Sequence, residues 1–146
     1  MLPQTFYQGP EADDYNFFVE IRKREKDNRI VVIPDTYSSD IQQAVIKKAA
    51  CMVGARYHSV VFAVNQGIPF VALSYEHKIK GLLEHLGKLD SMIDITKSME
   101  TEDTLKESYR QFEQCLAIAK PDENARMLAK KSAQNCMKKF LELFVR

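Results

Sequence analysis

Continuous apolar runs alternate with stripes of helical period along the first two thirds of the chain. Ile30-Val31-Val32-Ile33 is a β-branched run without polar alternation, closed by Pro34, the pattern of a strand covered on both faces as in a parallel sheet. Ser39 with Gln42 three residues on is a capping-box signal. Ile41, Ala44, Val45 and Ala49 follow as the stripe of a helix. Cys51-Met52-Val53 predicts a short buried strand, and Gly54 permits close backbone approach behind it. The nearly apolar stretch from Ser59 to Gln66 predicts a buried helix, with Gly67 at its left-handed end.

The alternation continues downstream. Phe70-Val71-Ala72-Leu73 after Pro69 reads as a strand. Ile79, Leu82, Leu83 and Leu86 read as a helix stopped by Gly87, and Met92-Ile93-Asp94-Ile95 as a last short strand. Two helices close the chain and are expected to cover the sheet. One is capped near Thr101, with Leu105, Tyr109, Phe112, Leu116 and Ala119 on a face. The other is opened by Pro121 and carries Ala125, Leu128, Ala129, Cys136, Phe140 and Phe144. Before the first strand, Met1 to Pro10 hold no period and read as a loop; Asp13 or Asp14 can cap a helix in which Phe17, Phe18 and Ile21 share a face as far as Lys26. Strands alternating with helices predict an α/β protein with a Rossmann-like, doubly wound parallel sheet and right-handed crossovers. In such sheets ligands bind at the carboxyl ends of the strands.

That rule directs attention to two polar clusters. Arg56-Tyr57-His58 follows the Cys51–Val53 run, and Tyr75-Glu76-His77-Lys78 follows the Phe70–Leu73 run. Backbone N–H groups, the positive end of a helix dipole and a guanidinium converge at the first, which makes an anion site. Arg56 offers a planar fork to carboxylate or phosphate, and His58 can donate to an anion or move a proton. Residues two apart on a helix diverge by about 200°, so Arg56 must precede the helix if it and His58 are to share a target. A structural Arg in a salt bridge and a His at a helix end fit the same spacing. At the second cluster Lys78 supplies another cation and Tyr75 a hydroxyl, with Glu76 and His77 placed to orient them; an exposed polar loop capping a helix is the competing reading. His85, beside Glu84, reads as a surface residue.

Composition narrows the partners. A length of 146 residues, 45% apolar and 28% charged, suits one globular domain spanning 1–146. A net charge of +1 gives no field that favours nucleic acid or an anionic membrane, and Arg22-Lys23-Arg24-Glu25-Lys26 reads as a solvated helix face. Cys51, Cys115 and Cys136 are odd in number and widely spaced; they support neither a disulfide framework nor a metal site and read as reduced core residues. With no run approaching the ~20 apolar residues of a membrane span and no signal-peptide pattern, the expected compartment is the cytoplasm.

Three motifs, Val53-Gly54-Ala55-Arg56-Tyr57-His58-Ser59, Gly67-Ile68-Pro69-Phe70-Val71 and Ser74-Tyr75-Glu76-His77-Lys78 leading to Gly81-Leu82, resemble the polysaccharide pyruvyltransferase family. Weaker similarity runs back to Ile30–Pro34 and forward to Leu86-Gly87. The resemblance implies one half of a glycosyltransferase-B architecture, and an enzyme that transfers the enolpyruvyl unit of phosphoenolpyruvate to a saccharide acceptor as a pyruvate ketal, without a further cofactor. It places Arg56 and His58 as the Arg-x-His pair near the donor, Lys78 as the lysine of a Tyr-x-x-Lys element, and Ser59 and Tyr75 among the donor-binding residues. His58 is the candidate acid for the methylene carbon.

Family members are more than twice as long, so the chain is expected to be the C-terminal, donor-binding half, lacking an N-terminal acceptor domain and inactive alone. An unfilled sheet edge would then favour self-association into a homo-oligomer. Two other readings stand beside this one: the donor half of a nucleotide-sugar glycosyltransferase, and a non-catalytic anion-binding or assembly module in which Arg56 and His58 are structural.

Overall fold

The computed structural model describes residues 1–3, 14–34, 36–98 and 100–144, with backbone alone at the end of the last helix. The expected loop over 4–10, the cap at Asp13 and the side chain of Phe144 lie outside the described residues. The chain divides into two compact units, Met1–Ala44 and Val45–Arg146.

In the first unit, α1 (Asp14–Glu25) carries no buried residue, and Phe17 is 63% exposed, so the expected Phe17–Phe18–Ile21 face narrows to the half-buried Phe18 and Ile21. The helix stops where Lys26 turns left-handed, with a φ of 52°, and the Lys26 N–H donates to the Arg22 carbonyl. The Ile30–Ile33 run is a correction to the expected four-strand plan. It carries no strand, and Val31 is 61% exposed. Its backbone nonetheless pairs with the chain start: the Met1 amino group donates to Val31 O at 2.6 Å and Ile33 N–H donates to Met1 O at 3.0 Å, flanking Val32 as in a parallel ladder. β-branched residues favour an extended backbone, but they do not choose its neighbour.

The helix α2 (Ser39–Ile46) begins in the first unit and ends in the second. Its expected capping box does not form: Gln42 Nε2 donates to the Tyr37 carbonyl, and Ser38, not Ser39, precedes the helix and accepts on its carbonyl the N–H of Gln42. Its buried positions are Gln42 and Ile46, while Ile41 and Val45 are more than a third exposed. The buried stripe is thus turned by one residue from the expected one. With apolar groups on both flanks of so short a helix, periodicity alone does not fix the rotation.

The second unit holds the sheet. β1 (Met52–Gly54), β2 (Phe70–Ser74) and β3 (Met92–Asp94) are parallel in the order β1-β2-β3, with Gly54 paired to Ala72 and Ser74 to Asp94. The crossovers are α3 (Tyr57–Gln66) and α4 (His77–Leu86), and a single 3-10 turn, Leu89–Ser91, leads into β3. Both crossover helices end on glycines in left-handed conformation, Gly67 at φ 65° and Gly87 at φ 64°, as the sequence led us to expect. Val60, Ala63, Val64, Ile79, Leu83 and Leu86 turn inward from α3 and α4, and Val71 and Ala72 at the centre of β2 are fully buried. The architecture is mixed α/β around a small three-stranded parallel sheet.

The terminal helices depart from expectation in what they cover. α5 (Glu102–Ile118) starts on a reciprocal Thr101–Thr104 capping box and packs on β2 and β3, where Cys115 and Phe112 join Val71, Ile93, Leu73 and Ile95 in one cluster. Leu105, Tyr109 and Leu116 of the expected face are exposed. α6 (Glu123–Phe144) packs on α3 and α4 rather than on the sheet. Ala125 is buried there, but Leu128, Cys136 and Phe140 are exposed, so Cys136 is not a core residue and Cys51 is only half-buried.

The start of α6 is anchored by Asp122, whose carboxylate accepts the Ala125 N–H at 2.9 Å and lies 3.1 Å from Lys88 Nζ. The Ala125 N–H and the Lys88 ammonium hold the Asp122 carboxyl below its ordinary value of 3.8 against the opposing effect of burial. The folded state therefore binds this proton less readily than the unfolded chain does. The stabilisation is complete above 3.8 and is lost as the pH falls through the lower folded value. Urea midpoints measured on descending through this acid range should drop more for the wild type than for Asp122→Asn; parallel curves would refute the assignment.

Candidate functional site

The carboxyl ends of β1 and β2 feed two loops of the same construction. Arg56 is the N-cap of α3 with φ −98° and ψ 142°, and Glu76 is the N-cap of α4 with φ −133° and ψ 147°; both are extended, and neither side chain caps its helix. Arg56 thus stands before the helix and His58 in its first turn, the arrangement required for them to share a target. Because the cap side chains are directed elsewhere, the first-turn N–H groups of both helices receive nothing from them. The positive ends of two helix dipoles sit at this edge.

A buried serine fixes each cap. The Ser59 hydroxyl donates to the Arg56 carbonyl at 2.6 Å, and the Ser74 hydroxyl donates to the Glu76 carbonyl at 3.0 Å. The two serines are 2% and 5% exposed. Ser59 therefore lies beneath the loop rather than on its open side. Ser74 opened one of the three motifs but was given no role from the sequence; it holds the second cap as Ser59 holds the first.

Gly54 makes room for this packing. A Cβ there would collide with the Ser59 hydroxyl and come within 3.3 Å of Ser59 Cβ and 3.4 Å of Val60 Cγ2. Gly54→Ala is expected to cost about 1–3 kcal/mol, as overpacking does in a closed core. Chemical denaturation checks it, and a loss below about 0.5 kcal/mol, the scale of a surface substitution, would show that the loop absorbs the methyl.

Across the loops, Arg56 Nη1 donates to the Tyr75 hydroxyl at 2.9 Å. The two clusters that the sequence placed on one rim are therefore in direct contact. Tyr75 is 41% exposed, and His58 also faces solvent, its ring edge-on to Tyr57 at 5.9 Å and tilted against Phe62 at 6.4 Å. Lys78, in the first turn of α4, lies 4.0 Å from the Glu76 carboxylate with its side chain 64% exposed, a pair too open to hold it firmly. His77 and His85 are exposed. The third strand end adds an anion: the Thr96 hydroxyl and amide hold the Asp94 carboxyl below its ordinary range, helped by the charges of Lys80 and Lys97. Among the described residues no cluster of His, Cys, Asp and Glu could hold a metal ion, and no helix is long and apolar enough to cross a membrane.

A rim of this kind, with an arginine, a histidine and a lysine at two helix starts, can bind a small multiply charged anion and present a proton donor to it. The chain belongs to the polysaccharide pyruvyl transferase family, which it matches over residues 2–77. The match takes in Arg56, His58, Ser59 and Tyr75 and stops one residue before Lys78. A curated relative, the amylovoran biosynthesis protein AmsJ of Erwinia amylovora, is 29% identical over 122 residues, 79% of this chain. The chain spans 28% of the length of that relative. No solved structure matches.

Proposed function

We propose that this chain provides the phosphoenolpyruvate-binding rim of a pyruvyl transferase that acts on saccharide hydroxyls in polysaccharide biosynthesis. The observation that carries the reading is the 2.9 Å hydrogen bond from Arg56 to Tyr75, which joins the two strand-end loops into one cationic edge. Phosphoenolpyruvate bears a carboxylate and a phosphate on the same carbon and calls for cations at both. In this reading Arg56 takes the carboxylate or the phosphate, and Lys78 takes the phosphate. His58, as imidazolium, delivers a proton to the methylene carbon. The resulting C2 cation accepts one sugar hydroxyl, a second hydroxyl of the same sugar displaces phosphate, and the hydroxyl protons leave as the ketal closes.

The Rossmann-type half of a glycosyltransferase-B enzyme is the architecture we propose around this rim, with the acceptor site on a separate domain. The name of the relative, an amylovoran biosynthesis protein, supports a biosynthetic role, and a cell-surface polysaccharide is the acceptor class we propose. The test is an NMR titration of the isotope-labelled protein with phosphoenolpyruvate and, separately, with a nucleotide sugar. Shifts at Arg56, His58 and Lys78 with the first and not the second are expected. Selective response to the nucleotide sugar, or to neither, would overturn the reading.

A further inference from the structure

We infer that Ser59 and Tyr75 are positioning residues for Arg56: they preset its backbone and its guanidinium from two different loops before any anion arrives. The inference rests on the proposed reading only for the identity of the anion.

Ser59 is 2% exposed and gives its hydroxyl to the Arg56 carbonyl, so a ligand on the open side of the rim does not reach it. The Ser59 amide donates to the same carbonyl at 3.1 Å. With the Val60 amide at 3.4 Å, one side-chain and two main-chain donors hold that oxygen, which fixes the peptide following Arg56, a residue extended at φ −98°. Gly54 supplies the space beneath.

From the other loop, the Tyr75 hydroxyl accepts Nη1 of Arg56 at 2.9 Å. A hydroxyl that accepts from a guanidinium turns an oxygen lone pair toward the cation and holds it by that bond. Arginine is a long side chain with large rotamer freedom. Restraining it in advance lowers the cost of binding. Tyr75 can act in this way because β2 runs past the end of β1: Gly54 pairs with Ala72, and Ser74 and Tyr75 lie beyond that pair.

The experiment has a ligand-free arm and a binding arm. Side-chain 15N NMR of the ligand-free protein should show Arg56 Nη groups that rotate faster in Tyr75→Phe than in the wild type, and the Tyr57 amide, in the peptide that Ser59 holds, should shift in Ser59→Ala. Affinity for phosphoenolpyruvate, by calorimetry, should fall about 3- to 10-fold in Tyr75→Phe, the scale of one hydrogen bond. In an Arg56→Lys background, where the cation can no longer reach the phenol in the same geometry, Tyr75→Phe should change affinity less than twofold. Thermal melts confirm folding, and Tyr75, being exposed, tolerates phenylalanine. Equal losses in both backgrounds would mean that Tyr75 touches the ligand and would overturn the inference, as would unchanged Arg56 signals in Tyr75→Phe. If wild type does not bind phosphoenolpyruvate yet the ligand-free signals change as stated, the substrate reading fails and the positioning role stands.

Discussion

Arg56→Ala is expected to weaken phosphoenolpyruvate binding at least 100-fold while leaving the fold intact. A hydrogen bond to a charged group is worth about 1.5–3 kcal/mol, and a guanidinium offers two of them in a fork to one carboxylate or phosphate. Losing both amounts to about 3–6 kcal/mol, and each 1.4 kcal/mol is about tenfold in affinity. The side chain is only partly buried and Tyr75 is exposed, so the variant should still melt as a folded protein. Calorimetric titration with a parallel thermal melt measures both. A binding loss below tenfold with a native melt would remove Arg56 from the centre of the site.

Leu83→Ala should produce the largest loss of stability, about 3–4 kcal/mol, the middle of the range for deleting a closely packed leucine. Leu83 is fully buried and lies on the inner face of α4 with Ile79 and Leu86. A helix of ten residues does not persist without such packing, so the change acts on the whole element. Its consequence reaches the rim, because the start of α4 holds Glu76 and Lys78 and follows Tyr75 directly. Urea denaturation of the two proteins at constant slope gives the difference. A loss under 1 kcal/mol would mean that the helix is held by other contacts.

How much of this could be read from the chain depended on where the deciding interaction lay. Phe70–Leu73 was legible as a central strand because both of its faces are buried and the run is apolar throughout. Gly67 and Gly87 were legible as helix ends because a left-handed residue is a local requirement. The condition on Arg56, extended before a helix, followed from the angular period alone and is met.

What stayed hidden was decided by groups distant in sequence. Leu105, Tyr109 and Leu116 have the right spacing but are exposed, while Phe112 and Cys115 meet Val71 and Ile93; α5 is rotated by its contact with the sheet, which no local pattern encodes. The Ile30–Ile33 run promised a strand, yet Val31 and Ile33 bond to Met1 and Ile30 to the Asp27 carbonyl. Ser59 stood in a motif as a ligand-binding candidate, and only the direction of its hydroxyl shows that it faces the main chain.

The stagger of β2 over β1 has a geometric corollary. The two loops stand on neighbouring, hydrogen-bonded strands, so the lateral interval between them is the interstrand interval, about 4.8 Å. That interval works as a ruler built from peptide groups, and no exchange of side chains at the rim can lengthen or shorten it. Divergent members of such a lineage would adapt to larger or smaller anions through the reach of the residues standing where Arg56 and Lys78 stand, with the span beneath them unchanged.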